Sequence, residues 1–543
     1  MRPIAPIIAA LQRDQPPLDP FERCCAASAG RVLVADAWNV TPHLETSLEI
    51  ALRLARAGYG VDYLHYGGRL PAVEFFFRDR LRLKELLSFT LAPQRKGRRI
   101  LRSVARALGL DLRVIQAPVS LALVPFQPPL PQAALESLEA LKQHQPADYP
   151  SLGPAVVSSL VSRLQDSGLR PRAHARCCQQ LAVSYLRAHR AVATALSQRR
   201  YQALIVFNGR FACLKGAVDA ASAAGVPVWY QERGSSLARF SLRPFQPHDR
   251  RAPQQEMLQL WEAVGDGLAA QSQAAAFFTE RRAGSTRQWL SFTDHQQTGH
   301  AAAVLAAARA SAPSGQVITF FAGSDDECVS VDDVYGRDPR PWLNQAEALQ
   351  ALVRVAAPLG HAVVVRCHPH LQHKHDGERQ RWDQLTFLGA DARRTVHVVA
   401  SASAVSSFEL IDGSDLIASY GSTVGIEAVF WGKPSLLLGN SFYDRLGATL
   451  LQPDGWQALE HDLRHYPSCA VDRLSALPYG YYQQTFGIDY TIYQPSSLFD
   501  GTFGGVKLQT FDRSPLFRTA DGLARAGKRL TARVWGPVRS ARE

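Results

Sequence analysis

The chain has 543 residues, 46% of them hydrophobic and 20% charged, which predicts a globular protein with room for two or three cores. No apolar run approaches the roughly 20 residues of a membrane span. Eight cysteines without a C-x-x-C spacing predict reduced thiols in a cytoplasmic protein, and a formal net charge of +12 directs attention to anionic partners.

The opening MRPIAPIIAALQRD has a short apolar patch but no clear small-residue cleavage site. Residues 1–27 are therefore expected to be an N-terminal extension and not a signal peptide. RVLVADAW (31–38) reads as a buried strand. A Thr41-Pro42 turn leads into the helix HLETSLEIALRLARAGYG, whose apolar stripe is Leu44, Leu48, Ala51, Leu52 and Ala55. The strand VDYLHYGG follows at once, an open Rossmann-type beginning. A basic helical segment and a third strand, LDLRVIQA, come next, and residues 126–200 read as mostly helical. YQALIVFNGR, FACLKGAVDAASAAG and VPVWYQERG form a second strand-helix-strand unit. Its strands end in Asn208-Gly209-Arg210 and Glu232-Arg233-Gly234. Residues 250–310 read as helical and close a first domain, 28–310, at the linker SAPSGQ.

A second Rossmann-like domain, 315–470, begins with QVITFFAGSDDE and continues through the helix WLNQAEALQALVRVAAPLG and the strand HAVVVRCHPH. It ends in the compact unit DLIASYGSTVGIEAVFWGKPSLLLG. Residues 471–543 are expected to form a tail that crosses back to the first domain. The pattern predicts an α/β fold of two tandem Rossmann-like halves facing a central cleft, with helical insertions.

The positive charge is concentrated. From Phe75 to Arg106 ten Lys or Arg stand against Asp79 and Glu85, and the last residues are basic again around Trp535. Aromatic and aliphatic residues alternate with the cations at helical spacing. An anionic membrane surface therefore ranks above nucleic acid, for which no motif is present, and a solvated basic face is the plain alternative.

The turn Tyr420-Gly421-Ser422-Thr423 leaves a buried strand and opens a helix of about two turns. The first helical amides have no intrahelical partner, and Gly421 and Gly425 let the backbone come close to a ligand, an arrangement suited to phosphate. Glu427, one turn on, is placed for sugar hydroxyls; alternatively Thr423 caps the helix and Glu427 offsets its dipole. In HAVVVRCHPH, alternation sets Arg366 and His368 on one face at the strand's carboxyl edge, where both are expected to meet the same phosphate. His368, His370, His373 and His375 crowd together without a completing cysteine or carboxylate, so no metal is expected.

R-C-H-P-H followed by D-L-I-A-S-Y-G-S-T-V-G-I-E-A-V-F-W-G-K-P resembles the bacterial surface-polysaccharide glycosyltransferases of the capsule biosynthesis type, as do F-F-A-G-S-D-D-E and V-F-N-G-R with Q-E-R-G. The resemblance spans residues 200–445. It implies the two-Rossmann (GT-B) fold, a nucleotide-sugar donor in the C-terminal half and an acceptor in the N-terminal half. Carried over, Arg366, His368, Gly421, Ser422 and Thr423 hold the donor phosphate and Glu427 the ribose. Asn208, Arg210, Glu232 and Arg233 line the cleft from the other domain. Asp325, Asp326 and Glu327 could hold a divalent ion, but metal-dependent transferases present a D-x-D in a single Rossmann-like domain, so Asp325 and Glu327 are expected to form a hinge or cleft wall. For a catalytic base the candidates are Glu232, Asp36 and His43. No cofactor is expected beyond the nucleotide-sugar substrate. The partners implied are a polysaccharide or lipid-linked acceptor and the inner face of the cytoplasmic membrane, not nucleic acid. A nucleotide-sugar epimerase, a polyol-phosphate polymer transferase and a non-enzymatic export accessory protein are the competing readings.

Overall fold

A computed structural model describes residues 4–13, 16–25, 30–35, 37–38, 40–66, 69–73, 92–118, 129–284, 296–331 and 340–508. The strands of its first half are β1 (Arg31–Val34), β2 (Gly60–His65), β3 (Leu112–Gln116), β4 (Tyr201–Phe207), β5 (Val228–Arg233) and β6 (Arg239–Arg243). Those of the second are β7 (Val317–Phe321), β8 (Ala362–Arg366), β9 (Val396–Val399), β10 (Leu416–Ser419) and β11 (Ser435–Leu437). Last come β12 (Ile488–Asp489), β13 (Tyr493–Ser497) and β14 (Asp500–Phe503).

One sheet runs β12-β6-β5-β4-β1-β2-β3 and a second β11-β10-β7-β8-β9. Within the first, β1 to β5 are parallel, with β6 and β12 added antiparallel at one edge. The second is parallel throughout. Numbered within its own half, each sheet has the order 3-2-1-4-5. Strand order therefore reverses between β1 and β4 in one half and between β7 and β10 in the other, and α/β sheets bind ligands at such points beyond the carboxyl ends of the strands. The two-Rossmann, GT-B-like architecture expected from the sequence is present.

Apolar runs such as VITFF and AVVVR build both sheets because helices cover each face. One face of the first sheet packs on helices His43–Arg56 and Ala92–Leu108, joining Val61 and Tyr63 to Leu48, Leu101 and Val104. The other packs on Ala175–Gln198 and Ala212–Ala223. The second sheet lies between two further clusters. Helix Ala301–Ser311, expected in the first domain, shares the second sheet's core: Ala301, Leu305 and Ala308 lie with Val317, Val364 and Ile417. Helices Arg251–Val264 and Leu268–Arg282 also pack toward the second half, where Met257, Phe277 and Phe278 meet Ile426, Val429 and Tyr479.

The tail returns. Helix Leu477–Thr485 joins that same cluster, then β12 pairs with β6. Glu49, buried on helix His43–Arg56, accepts the amides of Thr491 at 2.6 Å, Ile492 at 3.2 Å and Tyr493 at 2.9 Å. This covers the polar face of a helix that the sequence pattern leaves to solvent. Residues 509–543, with the basic stretch around Trp535, lie outside the described residues.

Candidate functional site

In the second domain, Ser419, Phe321 and Arg366 stand in one row across β10, β7 and β8. The loops after these strands therefore leave the sheet at the same level, with β10 and β8 about 10 Å apart on either side of β7. Gly421 has φ +133°, a region that disfavours a side chain, and a Cβ there would run into the Asn440 carbonyl. The amides of Gly421, Ser422 and Thr423 meet no acceptor among the described residues. The loop is rigid beneath them, because Tyr443 donates its hydroxyl to the Ser422 carbonyl and Gly425 N–H closes on the same oxygen at 3.0 Å. Thr423 makes no side-chain cap. On the neighbouring β7 loop Ser324 is buried with its hydroxyl unpartnered.

Three expectations for this half need correction. Arg366 is buried, and its guanidinium donates to the Ala400 carbonyl at 2.7 Å and the Ser403 carbonyl at 3.4 Å. It ties the loop after β9 to the sheet and does not meet the β10 turn. Glu427 is buried and accepts Arg281 Nε at 3.0 Å, so its carboxylate is already neutralised where a ribose was expected. Asp325 is buried and held by Gln345, by Trp382 Nε1 at 2.8 Å and by Arg381 at 3.2 Å, which makes it scaffold inside the domain and not a cleft wall. Glu327 is exposed, 3.7 Å from Lys374. His368 stays at the β8 edge, where its Nδ1 accepts the His370 amide at 3.2 Å. Burial, then the Lys374 ammonium, push its imidazole down to about 3, so it is neutral.

In the first domain the loop after β4 turns through Asn208, at φ +51°. Asn208 Nδ2 donates to Glu232 Oε2 at 2.7 Å and lies 3.2 Å from His248 Nε2, while its own Oδ1 is buried without a partner. Burial pushes the Glu232 carboxyl up, against the Asn208 hydrogen bond that lowers it. Burial, then Arg210 and Arg250, push His248 down to about 3. Arg210 donates to the Ser158 hydroxyl at 2.7 Å and the Ser162 hydroxyl at 2.9 Å. Arg233 reaches the Leu498 carbonyl at 3.2 Å in the returning hairpin. Asn208, Glu232 and His248 thus meet at the carboxyl edges of β4 and β5.

His43 is buried against Phe207 and Trp38, at ring-centroid distances of 3.9 and 5.2 Å. Burial, then Arg233, hold it well below its ordinary value. It is a packing residue in this arrangement and not an exposed base. Asp36 lies outside the described residues. Sequence reading missed His248, a single histidine in RPFQPHDR with no motif around it, and Arg281, whose partner is 146 positions away. Among the described residues, no three His, Cys, Asp or Glu side chains gather as metal ligands.

No protein family matches the chain, and no curated protein does. Among solved structures it is similar to a KpsC beta Kdo 2,4 transferase of Thermosulfurimonas dismutans, at 12% identity and a TM-score of 0.32 over 52% of this chain and 79% of that one. It is also similar to a putative UDP-N-acetylglucosamine 2-epimerase from Listeria monocytogenes, at 9% identity and a TM-score of 0.25 over 83% and 94%. A third is the glycosyltransferase VinC in complex with dTDP, at 12% identity and a TM-score of 0.22 over 92% and 100%.

Proposed function

We propose that the chain is a metal-independent glycosyltransferase of surface-polysaccharide assembly, moving a sugar from a nucleotide donor to a polysaccharide or lipid-linked acceptor. The observation that carries this reading is the pair of 3-2-1-4-5 sheets in one chain, each with a polar loop cluster at the carboxyl edge of its strands. The donor half offers three unpartnered loop amides at Gly421, Ser422 and Thr423, the Ser324 hydroxyl and the neutral His368. These are hydrogen-bond donors fixed before substrate arrives, as stabilisation of a departing nucleotide phosphate requires. Across the cleft, Glu232 is the base: it is oriented by Asn208, and its raised proton affinity suits removal of an acceptor hydroxyl proton.

The same reading puts the chain on the inner face of the cytoplasmic membrane. Helix Ala92–Leu108 has its apolar residues Ile100, Leu101 and Val104 in the core, so its own part in docking is electrostatic, through the outward Arg95, Arg99 and Arg106. The expected apolar contribution from residues 75–91 lies outside the described residues.

The test is a thermal-shift screen of the full chain against CMP, CDP, UDP and GDP sugars, followed by transfer assays with the donor that binds. Glu232→Gln is expected to bind donor as the parent does and to lose transfer by about 100-fold or more. Transfer by Glu232→Gln at the parental rate removes Glu232 as the base. Donor turnover without acceptor points to an epimerase, and failure of every nucleotide sugar to bind removes the enzyme reading.

A further inference from the structure

At the carboxyl edge of the first sheet, away from Asn208 and Glu232, a second polar cluster gathers around His65. His65 ends β2 and is 5% exposed, yet neither ring nitrogen has a partner. Alternation puts it on the same face as Val61 and Tyr63, the face that packs on helix Ala92–Leu108. That helix carries Arg98 and Arg102 one turn apart. Arg98 Nε is itself buried and unpartnered, and no carboxylate pairs with Arg69, Arg98 or Arg102 among the described residues. Across the register from His65 lies Gln116, whose amide oxygen, correctly turned, sits 3.0 and 3.2 Å from the Arg69 guanidinium. Arg187 donates to the Arg69 carbonyl and fixes that loop from behind. Burial, then Arg98, Arg69 and Arg102, push the His65 imidazole down to about 4, so all three guanidiniums act on this ring.

Like charges one helical turn apart destabilise a helix, and a buried imidazole with no hydrogen bond adds a further cost. A bound anion relieves both. We infer that His65, Arg69, Arg98 and Arg102 form a binding site for a phosphate or diphosphate group, with the guanidiniums as charge-assisted donors and the imidazole N–H as a fourth. The site lies on the acceptor half. If the transferase reading holds, its ligand is the phosphate of the acceptor's carrier; the anion site does not depend on that reading.

The test is calorimetric titration of the full chain with inorganic pyrophosphate, without any nucleotide sugar, so that the transferase reading stands or falls separately on donor turnover. Arg98→Gln with Arg102→Gln is expected to weaken pyrophosphate binding about tenfold or more. Arg464→Gln, an exposed arginine on helix Trp456–His465 of the other domain, leaves it unchanged. Co-sedimentation with phosphatidylcholine vesicles, with and without phosphatidic acid, distinguishes the sources. Retention that needs phosphatidic acid and falls with the Arg98/Arg102 pair supports a membrane-borne phosphate. Pyrophosphate binding without vesicle retention supports a soluble diphosphate. Binding that is absent in the parent chain, equal in parent and pair, or weakened as much by Arg464→Gln as by the pair overturns the site. Arg102→Gln alone, on an exposed side chain, decides the matter should the pair fail to fold.

Discussion

Glu427 and Arg281 show how much of the candidate donor site is structural before any ligand arrives. The carboxylate is buried, and its partner comes from helix Leu268–Arg282, outside the second sheet. Removing the arginine strands a buried charge, whereas removing both charges does not. Arg281→Met is therefore expected to destabilise the chain by about 2 kcal/mol, a value kept low because the Arg281 side chain is 40% exposed. Arg281→Met with Glu427→Gln should recover most of that loss. Urea unfolding of the two variants measures it, and equal stability of single and double variants would show the pair to be inconsequential. Arg366 makes the same point differently. Burial lowers it to about 10, which leaves it charged at neutral pH, and two carbonyl oxygens accept from its terminal nitrogens while Nε is left without a partner.

Among the elements, the seven-residue helix Val424–Phe430 and the turn before it depend on missing side chains. Gly425 packs so closely that a Cβ would be driven into the Tyr443 hydroxyl, which holds the Ser422 carbonyl. Tyr443 is itself buried among Phe277, Leu437 and Tyr479 and has no room to retreat. Gly425→Ala should cost about 1–3 kcal/mol by overpacking and weaken donor binding together with it, because the same collision tilts the three amides. Thermal unfolding and nucleotide titration check the two effects; full donor affinity in a destabilised variant would separate the turn from the site. Helix Ala92–Leu108 illustrates the opposite case. Its cationic and apolar periodicity was plain in the sequence, but packing, not periodicity, decided that the apolar stripe belongs to the core.

Over the whole molecule, the halves meet through buried carboxylates. Glu378 on helix Asp376–Asp383 accepts the Ser167 hydroxyl at 2.6 Å and its amide at 3.3 Å, joining the second domain to the end of helix Leu152–Leu164. Burial pushes its carboxyl up from 4.5 to about 7. The folded chain therefore binds this proton more tightly than the unfolded one. Its contribution to stability is complete below about 4.5 and is lost as pH rises through about 7. The thermal midpoint of the parent should fall between pH 5 and pH 8, and Glu378→Gln should flatten that fall. Some slope will remain, since burial also pushes Glu45 up to about 7. An unchanged slope in Glu378→Gln would assign the dependence elsewhere. The returning tail is anchored in the same manner. Glu49→Ala leaves the amides of residues 491–493 without their acceptor and Arg53 without its carboxylate, and the variant should lose about 3 kcal/mol in urea unfolding.

The amino-acid sequence alone determined the two parallel sheets and their loops, because a buried strand flanked by helices must be a continuous apolar run, and runs such as VITFF and AVVVR are visible without a partner. It likewise located Asn208, Glu232, His368 and the Gly421–Thr423 turn, since each directly follows or ends such a run. Only the tertiary structure decided which charges are committed and which are open. Arg281 with Glu427, Glu49 with residues 491–493, Ser167 with Glu378 and β12 with β6 join positions far apart in the chain. No local periodicity encodes a pairing of that kind. It arises when packing buries one polar group and the nearest complementary group, wherever it lies in sequence, must satisfy it.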